Sequence, residues 1–426
     1  MTYQQARQVL DRFPRFEVKP GLTRVRQLLA LLGQPQFAHP TIHVGGTNGK
    51  GSVVAMLDAV LRDAGFRVGR FTSPELIDFR DRIVVNGECI SEVELAAAVE
   101  RMAPMIEALD EVPSQFEIIT ALAFDHLARS GVDVSVIEVG LGGRFDATNV
   151  ISPELAILTN VTLDHQAILG DTVEKIAWEK AGIAKSERSF IVGRLPNSVL
   201  AIVRAECKAV GAHLVSADGI SVERVSRDWD AAVYEVNGCG GIRTLRLPLI
   251  GLAQRDNLTL VLAAILQLRA RGFGIPDEAV VEGLKSVCWP GRMEVIRKKP
   301  TIVLDGAHNP AAIQALASDV VDLVPDAGRR FLLYGTLADK DADTSLEILS
   351  AIFPSVGICA SQSPRSLPIS QLAETAGRYF RQITQYHSVA EGVESWLAQA
   401  TPDDVLVVTG SLTVVGEARH WVMGER

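Results

Sequence analysis

The sequence contains few cysteines, no long apolar run and no excess of positive charge. Its five cysteines are scattered without a CxxC pair, which argues against a disulfide framework and against a cysteine metal site. No apolar run is long enough to cross a membrane, and the N-terminal segment MTYQQARQVLDRF is polar and amphipathic. The formal net charge of −9 argues against a nucleic-acid partner. The sequence therefore predicts a cytoplasmic protein that binds neither membranes nor nucleic acids.

What is present is the composition of an ordinary globular protein. Hydrophobic residues make up 47% and charged residues 22% of the 426 residues, a length that predicts two or three domains. Amphipathic helical patterns alternate with apolar runs that resemble buried strands, at residues 41–44, 132–136, 155–158 and 190–192. Such alternation predicts a mostly parallel sheet with helices on both faces.

The pattern changes twice further along the chain. Residues 219–249 form short alternating segments separated by Gly and Asn-Gly, as in a small antiparallel sheet, and helices are predicted at 257–271 and 277–286. After the WPGR segment the rhythm of strands and helices resumes. We therefore predict an α/β protein with two doubly wound, mostly parallel sheets. An N-terminal P-loop ATPase-like domain with the small antiparallel sheet covers 1–298, and a smaller C-terminal Rossmann-like domain covers 299–426.

The most informative segment is HVGGTNGKGS at residues 43–52. It joins a predicted strand to a predicted helix through glycines, whose backbone N–H groups can surround a phosphate while Lys50 supplies positive charge. The strict motif is not met, because it has glycine where this chain has Val44, and a hydroxyl directly after the lysine, where this chain has Gly51 before Ser52. A glycine-rich turn with a solvated lysine is the alternative interpretation.

Polar residues also follow other predicted strands, at the edge where parallel sheets bind ligands. Glu138 and His165, together with the hydroxyls of Ser52 and Ser73, form a plausible set of ligands for Mg²⁺ beside a triphosphate. From the residues alone, a salt-bridged carboxylate at Glu138 and a hydrogen-bonded loop histidine at His165 are equally consistent with the sequence.

Three further positions allow two interpretations each. Lys180 lies in the helical segment TVEKIAWEKAG, where a lysine on a solvated face is the ordinary expectation. Arg292 precedes the second domain and either covers phosphate charge or forms an ion pair between domains. Ser411 begins the last predicted helix and either binds a carboxylate or serves as its N-cap.

Taken together, the motifs resemble those of the folylpolyglutamate synthase and dihydrofolate synthase family, in the Mur-ligase superfamily. The resemblance covers nearly the whole chain. Its motifs occur in the family's order, namely KPGLTRVRQLL (19–29), GGTNGKGS (45–52), FTSPEL (71–76), SQFEIITALAF (114–124), EVGLGGRFDATN (138–149), LDHQ (163–166), EKAGIAK (179–185), GLAQRDN (251–257), WPGRME (289–294), LDGAHNP (304–310), GTLADKD (335–341) and VTGSL (408–412).

The resemblance implies a role for each matching position. Nine positions match residues that bind ATP: Thr47, Asn48, Gly49, Lys50, Gly51, Ser52, Asn257, Arg292 and Asp305. Positions that match magnesium ligands are Ser52, Ser73, Glu138, His165 and Lys180, the last as a carbamylated lysine. Positions that match contacts to the pteroate, folate or glutamate substrates are Gly21, Leu22, Arg82, Phe116, Glu117, Asp146, Ala147, His308 and Ser411. Those implied to take part in catalysis are Lys50, Glu138, His165, Lys180 and His308.

The implied reaction is ATP-dependent addition of L-glutamate to dihydropteroate, to reduced folates, or to both, through an acyl phosphate. The implied cofactors are Mg²⁺, with ATP as co-substrate and a possible monovalent cation, and the family's default state is a monomer. A monofunctional folylpolyglutamate synthase and a nucleotide-gated binding protein are the alternatives. Two departures from the family pattern are Glu75, where His is common, and Ala253, which replaces another His.

Overall fold

The computed structural model describes residues 1–14 and 21–424, so Lys19 and Pro20 of the KPGL turn lie outside the described residues. The chain divides into two compact units. The N-terminal unit comprises residues 1–223, 235–245 and 255–287, and the C-terminal unit comprises residues 224–234, 246–254 and 288–426. The boundary between 298 and 299 stays a prediction.

In the described residues of the N-terminal unit, the main sheet has eight strands in the order β4-β3-β2-β5-β1-β6-β7-β8. Their bounds are β1 (Thr41–Gly45), β2 (Val68–Phe71), β3 (Ile83–Val85), β4 (Glu88–Cys89), β5 (Val134–Glu138), β6 (Leu155–Leu158), β7 (Ser189–Val192) and β8 (His213–Ser216). From β2 to β8 neighbouring strands are parallel, and only β3 and β4 add as an antiparallel edge. The central strands are fully buried, as expected of a sheet covered on both faces.

Helices surround this sheet, with one hydrophobic cluster around α5 and another around α7 and α8. Their bounds are α1 (Tyr3–Asp11), α2 (Thr23–Leu31), α3 (Lys50–Asp63), α4 (Glu92–Glu107), α5 (Gln115–Arg129), α6 (Gln166–Leu169), α7 (Val173–Ala181), α8 (Asn197–Val210), α9 (Gln254–Ala270) and α10 (Asp277–Ser286). The start of α5 is fixed by a capping box, in which Ser114 and Glu117 bond each other's backbone N–H groups.

The small sheet predicted at 219–249 is present, with strand order β11-β10-β9. Its strands are β9 (Ser221–Arg227), β10 (Ala232–Asn237) and β11 (Thr244–Leu247). The short loops between them cannot hold a parallel crossover, so the sheet is antiparallel. The division between the two units passes through this sheet.

In the part of the C-terminal unit that the structure describes, a six-stranded sheet has the order β12-β13-β17-β14-β15-β16. Its strands are β12 (Glu294–Arg297), β13 (Thr301–Leu304), β14 (Arg330–Tyr334), β15 (Val356–Ile358), β16 (Ile383–Gln385) and β17 (Val405–Thr409). The helices are α11 (Pro310–Leu323), α12 (Ala342–Ser350), α13 (Ile369–Ala376), α14 (Val389–Leu397) and α15 (Leu412–Met423). All pairs are parallel except the β12–β13 edge, which confirms the predicted doubly wound class.

Within the described ranges, no helix is both long enough and apolar enough to cross a membrane.

Candidate active site

The segment between β1 and α3 forms a tight loop that requires glycine at two positions. Gly46 and Gly49 have φ values of 140° and 85°, a backbone region that side chains disfavour. A Cβ atom at Gly46 would lie 1.9 Å from Oγ1 of Thr159, and one at Gly49 would lie 2.4 Å from Oδ1 of Asn257. The loop therefore follows a path that only glycine permits, and Asn257 on α9 lies directly against it.

The phosphate loop, residues 46–50, is held in shape by the segment that follows β6. The hydroxyl of Thr159 donates to the carbonyl of Asn48 at 2.6 Å, and the Asn48 N–H donates to Oδ1 of Asn160 at 2.9 Å. The Thr47 N–H donates to the carbonyl of Asn160 at 3.0 Å. Sequence reasoning missed Thr159 and Asn160 as loop anchors, although both lie in the polar TNVT segment after a strand that pairs with β1.

Two lysines meet at one carbonyl of this loop. Nζ of Lys50 donates to the carbonyls of Gly46 and Thr47, both at 3.2 Å, and Nζ of Lys180 donates to the same Gly46 carbonyl at 2.9 Å. Ser52 is buried in the first turn of α3, whose N-terminus faces the loop. Positive charge and a helix N-terminus together suit the binding of an anionic ligand.

Lys180 is almost completely buried, with 4% of its surface exposed. The helical pattern alone favoured a solvated lysine here, and the structure corrects that interpretation. Burial, with the nearby positive charge of Lys50 as a further cause, lowers the pKa of Lys180 to about 7. The Lys180 amine is therefore uncharged in a large fraction of the molecules near neutral pH. This is unusual for a lysine and typical of functional sites.

Glu138 and Ser73 lie together at the ends of neighbouring strands. Glu138 ends β5 and is buried, and its Oε2 accepts a hydrogen bond from the Ser73 N–H at 3.3 Å. His165 precedes α6 with a φ of 48°, and its Nε2 lies 3.9 Å from Oδ1 of Asp164.

The oxygen ligands near the phosphate loop suit a metal cation that also binds water and phosphate oxygens. Over residues 1–14 and 21–424, no three His, Cys, Asp or Glu side chains form a metal-binding group. The buried Glu138 carboxylate and the hydroxyls of Ser52 and Ser73 are hard oxygen donors, few in number. Such a set suits Mg²⁺, which usually retains water and phosphate oxygens.

A second group of predicted site residues converges on Gly140, just after β5. A Cβ atom there would lie 2.4 Å from Cζ of Phe116 and 3.1 Å from Oδ2 of Asp146. The Leu141 N–H donates to Oδ2 of Asp146 at 2.8 Å, and Ala147 follows in the same buried turn. Burial raises the pKa of Asp146, against the opposing effect of these hydrogen bonds. The Phe116 ring and the buried Asp146 carboxylate thus lie together against Gly140.

Glu117 forms a buried ion pair instead of pointing freely into a site. Its Oε2 accepts from Nε of Arg24 at 3.1 Å and from the Ser114 N–H at 2.7 Å. Gly21 and Leu22 immediately precede α2, the helix that carries Arg24. Sequence reasoning missed Arg24, although it lies within the KPGLTR motif.

Arg82 binds the unusual residue of the loop after β2. Its Nε donates to Oε2 of Glu75 at 2.7 Å, and a second guanidinium nitrogen contacts the same oxygen. The departure at Glu75 therefore gives Arg82 a partner carboxylate within the N-terminal unit.

In the C-terminal unit, Asp305 directly follows β13 and Arg292 precedes β12, and the two side chains lie near each other. The buried Asp305 carboxylate accepts from the Met293 N–H at 2.8 Å and from the Ala307 N–H at 2.9 Å. Burial raises the pKa of Asp305, while the charge of Arg292 acts in the opposite direction. A Cβ at Gly306 would lie 2.4 Å from a guanidinium nitrogen of Arg292.

His308 and Ser411 complete this group. Nδ1 of His308 lies 2.8 Å from the Gly306 carbonyl, which can only accept, so Nδ1 carries the proton. Ser411 is the N-cap of α15, and its Oγ accepts from the Val414 N–H at 3.2 Å. The Gly410 N–H donates to the Ala307 carbonyl, which joins the ends of β13 and β17. The cap expected at Ser411 is therefore present.

Comparison with known proteins identifies the class first. The Mur ligase middle domain matches residues 44–265, and the Mur ligase glutamate ligase domain matches residues 291–412. The fold and the phosphate loop are thus those of a Mur ligase.

Relatives with curated names narrow the class. The dihydrofolate synthase/folylpolyglutamate synthase of Bacillus subtilis is 35% identical over 98% of both chains. That of Mycobacterium tuberculosis is 35% identical over 97% of this chain and 93% of the relative. The chain belongs to the dihydrofolate synthase/folylpolyglutamate synthase family.

Solved structures agree. Mycobacterium tuberculosis folylpolyglutamate synthase complexed with ADP has a TM-score of 0.90 and 32% identity, with 99% of this chain and 98% of that chain covered. Escherichia coli FolC in complex with DHPP and ADP has a TM-score of 0.87 and 29% identity, with 100% and 99% covered. The family resemblance seen in the motifs is confirmed over the whole chain.

Proposed function

We propose that this chain is an ATP-dependent ligase that joins L-glutamate to dihydropteroate, to reduced folates, or to both, with release of ADP and phosphate. The observation that carries the proposal is the meeting of Lys50 and Lys180 at the Gly46 carbonyl. The strand before this loop, β1, pairs with β5, which ends in the buried carboxylate of Glu138. A binding protein needs a cation for phosphate, but it has no evident need for a second lysine whose pKa burial lowers to about 7.

In the first step, a carboxylate oxygen of the acceptor attacks the γ-phosphorus of ATP. The bond from that phosphorus to the bridging oxygen breaks, ADP leaves, and an acyl phosphate forms. Lys50 and the backbone N–H groups in the first turn of α3 offset the negative charge that opposes this attack. Thr47, Asn48, Gly49, Gly51 and Ser52 form the rest of the cradle, and Asn257 borders it at Gly49.

Mg²⁺ supplies charge neutralisation at the phosphates when it is bound. We assign Ser52, Ser73, Glu138 and His165 as the residues that would hold it. Lys180 would contribute as a carbamate. Its uncharged amine attacks carbon dioxide, a C–N bond forms, one proton leaves, and the lysine becomes an anion. The pKa of about 7 supports this assignment because only the uncharged amine reacts.

The acceptor is assigned to the group formed by Phe116, Asp146 and Ala147. Arg82, Glu117, Gly21 and Leu22 are assigned to the same substrate because they match substrate-contacting positions of the family. Phe116 offers a ring for stacking, and Asp146 offers a carboxylate to N–H groups of a pterin. This assignment explains why the two side chains share Gly140.

In the second step, the amine of L-glutamate attacks the acyl carbon and phosphate leaves. His308 suits the proton that the amine must lose, because its Nδ1–H is bound to a carbonyl and its Nε2 bears the lone pair when neutral. Ser411 is assigned to a glutamate carboxylate, and Arg292 and Asp305 to the nucleotide. The chain is proposed to act as a cytoplasmic monomer.

The test is a product assay. The protein is incubated with ATP, Mg²⁺, L-glutamate and either dihydropteroate or a reduced folate, and the masses of the products are measured by mass spectrometry. The proposal predicts ADP and a glutamyl product with at least one acceptor. Product with the folate alone would indicate a monofunctional folylpolyglutamate synthase. Nucleotide binding without product from either acceptor would instead support the nucleotide-gated binding protein and overturn the ligase.

A further inference from the structure

From the buried Asp146 carboxylate, a chain of hydrogen bonds runs through the interior to β1. His43 in β1 and Thr148 in the turn after Asp146 are both completely buried. Nε2 of His43 lies 2.9 Å from Oγ1 of Thr148, and that hydroxyl donates to Oδ1 of Asp146. The chain of hydrogen bonds thus ends on the Asp146 carboxylate, which lies against Gly140 together with the Phe116 ring.

The direction of each hydrogen bond follows from counting protons. A threonine hydroxyl carries one proton, and Thr148 gives its proton to Asp146. The Thr148 oxygen therefore accepts from His43, so the His43 proton is on Nε2. Among the described residues, Nδ1 of His43 has no hydrogen-bond partner. His43 is thus a neutral donor with a single tautomer.

The surroundings keep His43 neutral. Burial, with the charge of Lys185 as a further cause, lowers the pKa of His43 to about 3. Nζ of Lys185 donates to the carbonyl of Asn149, the residue after Thr148. A protonated imidazole is therefore excluded at ordinary pH, and the donor role of Nε2 is constant.

We propose that His43 and Thr148 are positioning residues for the acyl acceptor, because their hydrogen-bond chain fixes the Asp146 carboxylate beside Phe116. The inference rests on the proposed function, since it takes the Asp146 surface as the acceptor site. The inference also connects the two substrate sites. β1 carries His43 and continues into the phosphate loop, so the same strand positions both the Asp146 carboxylate and the loop that holds ATP.

Two pairs of variants test the role. Thr148→Val keeps the shape and loses the hydroxyl, and Thr148→Ser keeps the hydroxyl. His43→Gln places an amide N–H near the position of Nε2, whereas His43→Asn places it near Nδ1 and leaves Thr148 without a donor. Each pair therefore separates the hydrogen bond from the presence of a polar side chain.

The readout is the KM for dihydropteroate or reduced folate, compared with the KM for ATP in the same assay. Loss of a hydrogen bond to a charged group predicts an acceptor KM raised about tenfold or more in Thr148→Val, and loss of the neutral hydrogen bond behind it predicts a smaller rise of about fivefold in His43→Asn. The KM for ATP should stay within about twofold of wild type in both. Thr148→Ser and His43→Gln should restore the acceptor KM. The rise in melting temperature on adding ADP, measured for every variant, reports a folded chain with an intact phosphate loop.

The outcomes distinguish the inference from the function on which it rests. An active wild type whose Thr148→Val variant keeps a normal acceptor KM, or shows equal rises in both KM values, overturns the inference alone. If Thr148→Val does not fold, the comparison of His43→Gln with His43→Asn decides in the same way. A wild type that makes no product with either acceptor overturns both.

Discussion

Two regions of this chain use the same topology for different chemistry. In the N-terminal unit, β1 runs through glycines into α3, and two lysines lie at the loop. In the C-terminal unit, the ends of β13 and β17 lead into α11 and α15, and the group there contains Asp305, His308 and Ser411. Both lie at the carboxyl ends of parallel strands, where α/β sheets bind ligands.

The two regions differ in the charge of their side chains and in whether a side chain caps the helix N-terminus. The phosphate loop follows a path that excludes side chains. Two lysines lie at its Gly46 carbonyl and the N-terminus of α3 follows it, an arrangement that suits an anion. In the C-terminal unit the side chains of Asn309 and Ser411 cap α11 and α15, and Asp305 accepts two backbone N–H groups. The first region offers cations and a helix N-terminus, whereas the second offers a buried carboxylate and two helix ends that are already capped.

The largest effect is expected from Gly46→Ala. The new Cβ would lie 1.9 Å from Oγ1 of Thr159 at a φ of 140°, so the loop must move. We expect loss of ATP binding and a fall of about 2–4 kcal/mol in the free energy of unfolding. Calorimetric titration with ATP and chemical denaturation measure both. Gly219→Ala is the matched control, because a Cβ there meets open space and the φ is ordinary. Normal ATP affinity in Gly46→Ala would contradict the assigned cradle.

The next largest effect is expected from Lys180→Ala. This variant should lose most ligase activity while the chain still folds. The control is Lys175→Ala on the same helix, since Lys175 is exposed and pairs with Asp171. Because the pKa of Lys180 is about 7, the uncharged amine falls to about a tenth at pH 6 and rises to about nine-tenths at pH 8. Activity recovered by adding bicarbonate to carbon-dioxide-depleted enzyme should therefore be greater at pH 8. Full activity in Lys180→Ala would remove the carbamate role.

Ser411 allows a smaller and more selective test. Ser411→Ala removes the cap of α15 and should cost about 1 kcal/mol of stability, whereas Ser411→Asn keeps a capping side chain. If Ser411 also binds glutamate, both variants raise the KM for glutamate. A normal KM for glutamate in Ser411→Asn would show that Ser411 serves only as the N-cap of α15.

The smallest effect is expected from Glu75→Gln. The Glu75 and Arg82 side chains are 32% and 14% exposed, and pairs of this kind contribute about 1 kcal/mol or less. Loss of the partner charge should therefore change the acceptor KM by a factor of about five or less, with little change in melting temperature. Steady-state kinetics with both acceptors measures it, and a collapse of kcat would show that Glu75 has a larger role.

Much of the fold was predictable because long apolar runs and amphipathic helices carry strong signals. The strand at 41–44, the helix from Lys50 and the small sheet at 219–249 are confirmed. Short edge strands such as β4 and β16 were missed, since two or three partly exposed residues leave no period to detect.

The candidate site was predictable as a set of motifs, but its contacts were not. The burial of Lys180 depends on the loop after β5, where the Arg144 N–H donates to the carbonyl of Glu179 and brings that loop over α7. The pairing of Glu117 with Arg24 joins residues that are 93 positions apart. A local pattern cannot report either contact, because both depend on the tertiary fold. The roles assigned to the site residues stay predictions.

The central claim is that ATP phosphorylates the acceptor carboxylate before glutamate attacks. The most direct measurement uses an acceptor whose carboxylate carries ¹⁸O, with ATP, Mg²⁺ and L-glutamate, followed by mass analysis of the released phosphate. The account predicts that phosphate acquires an acceptor oxygen in step with formation of the glutamyl product. Product and ADP formed with unlabelled phosphate would contradict it.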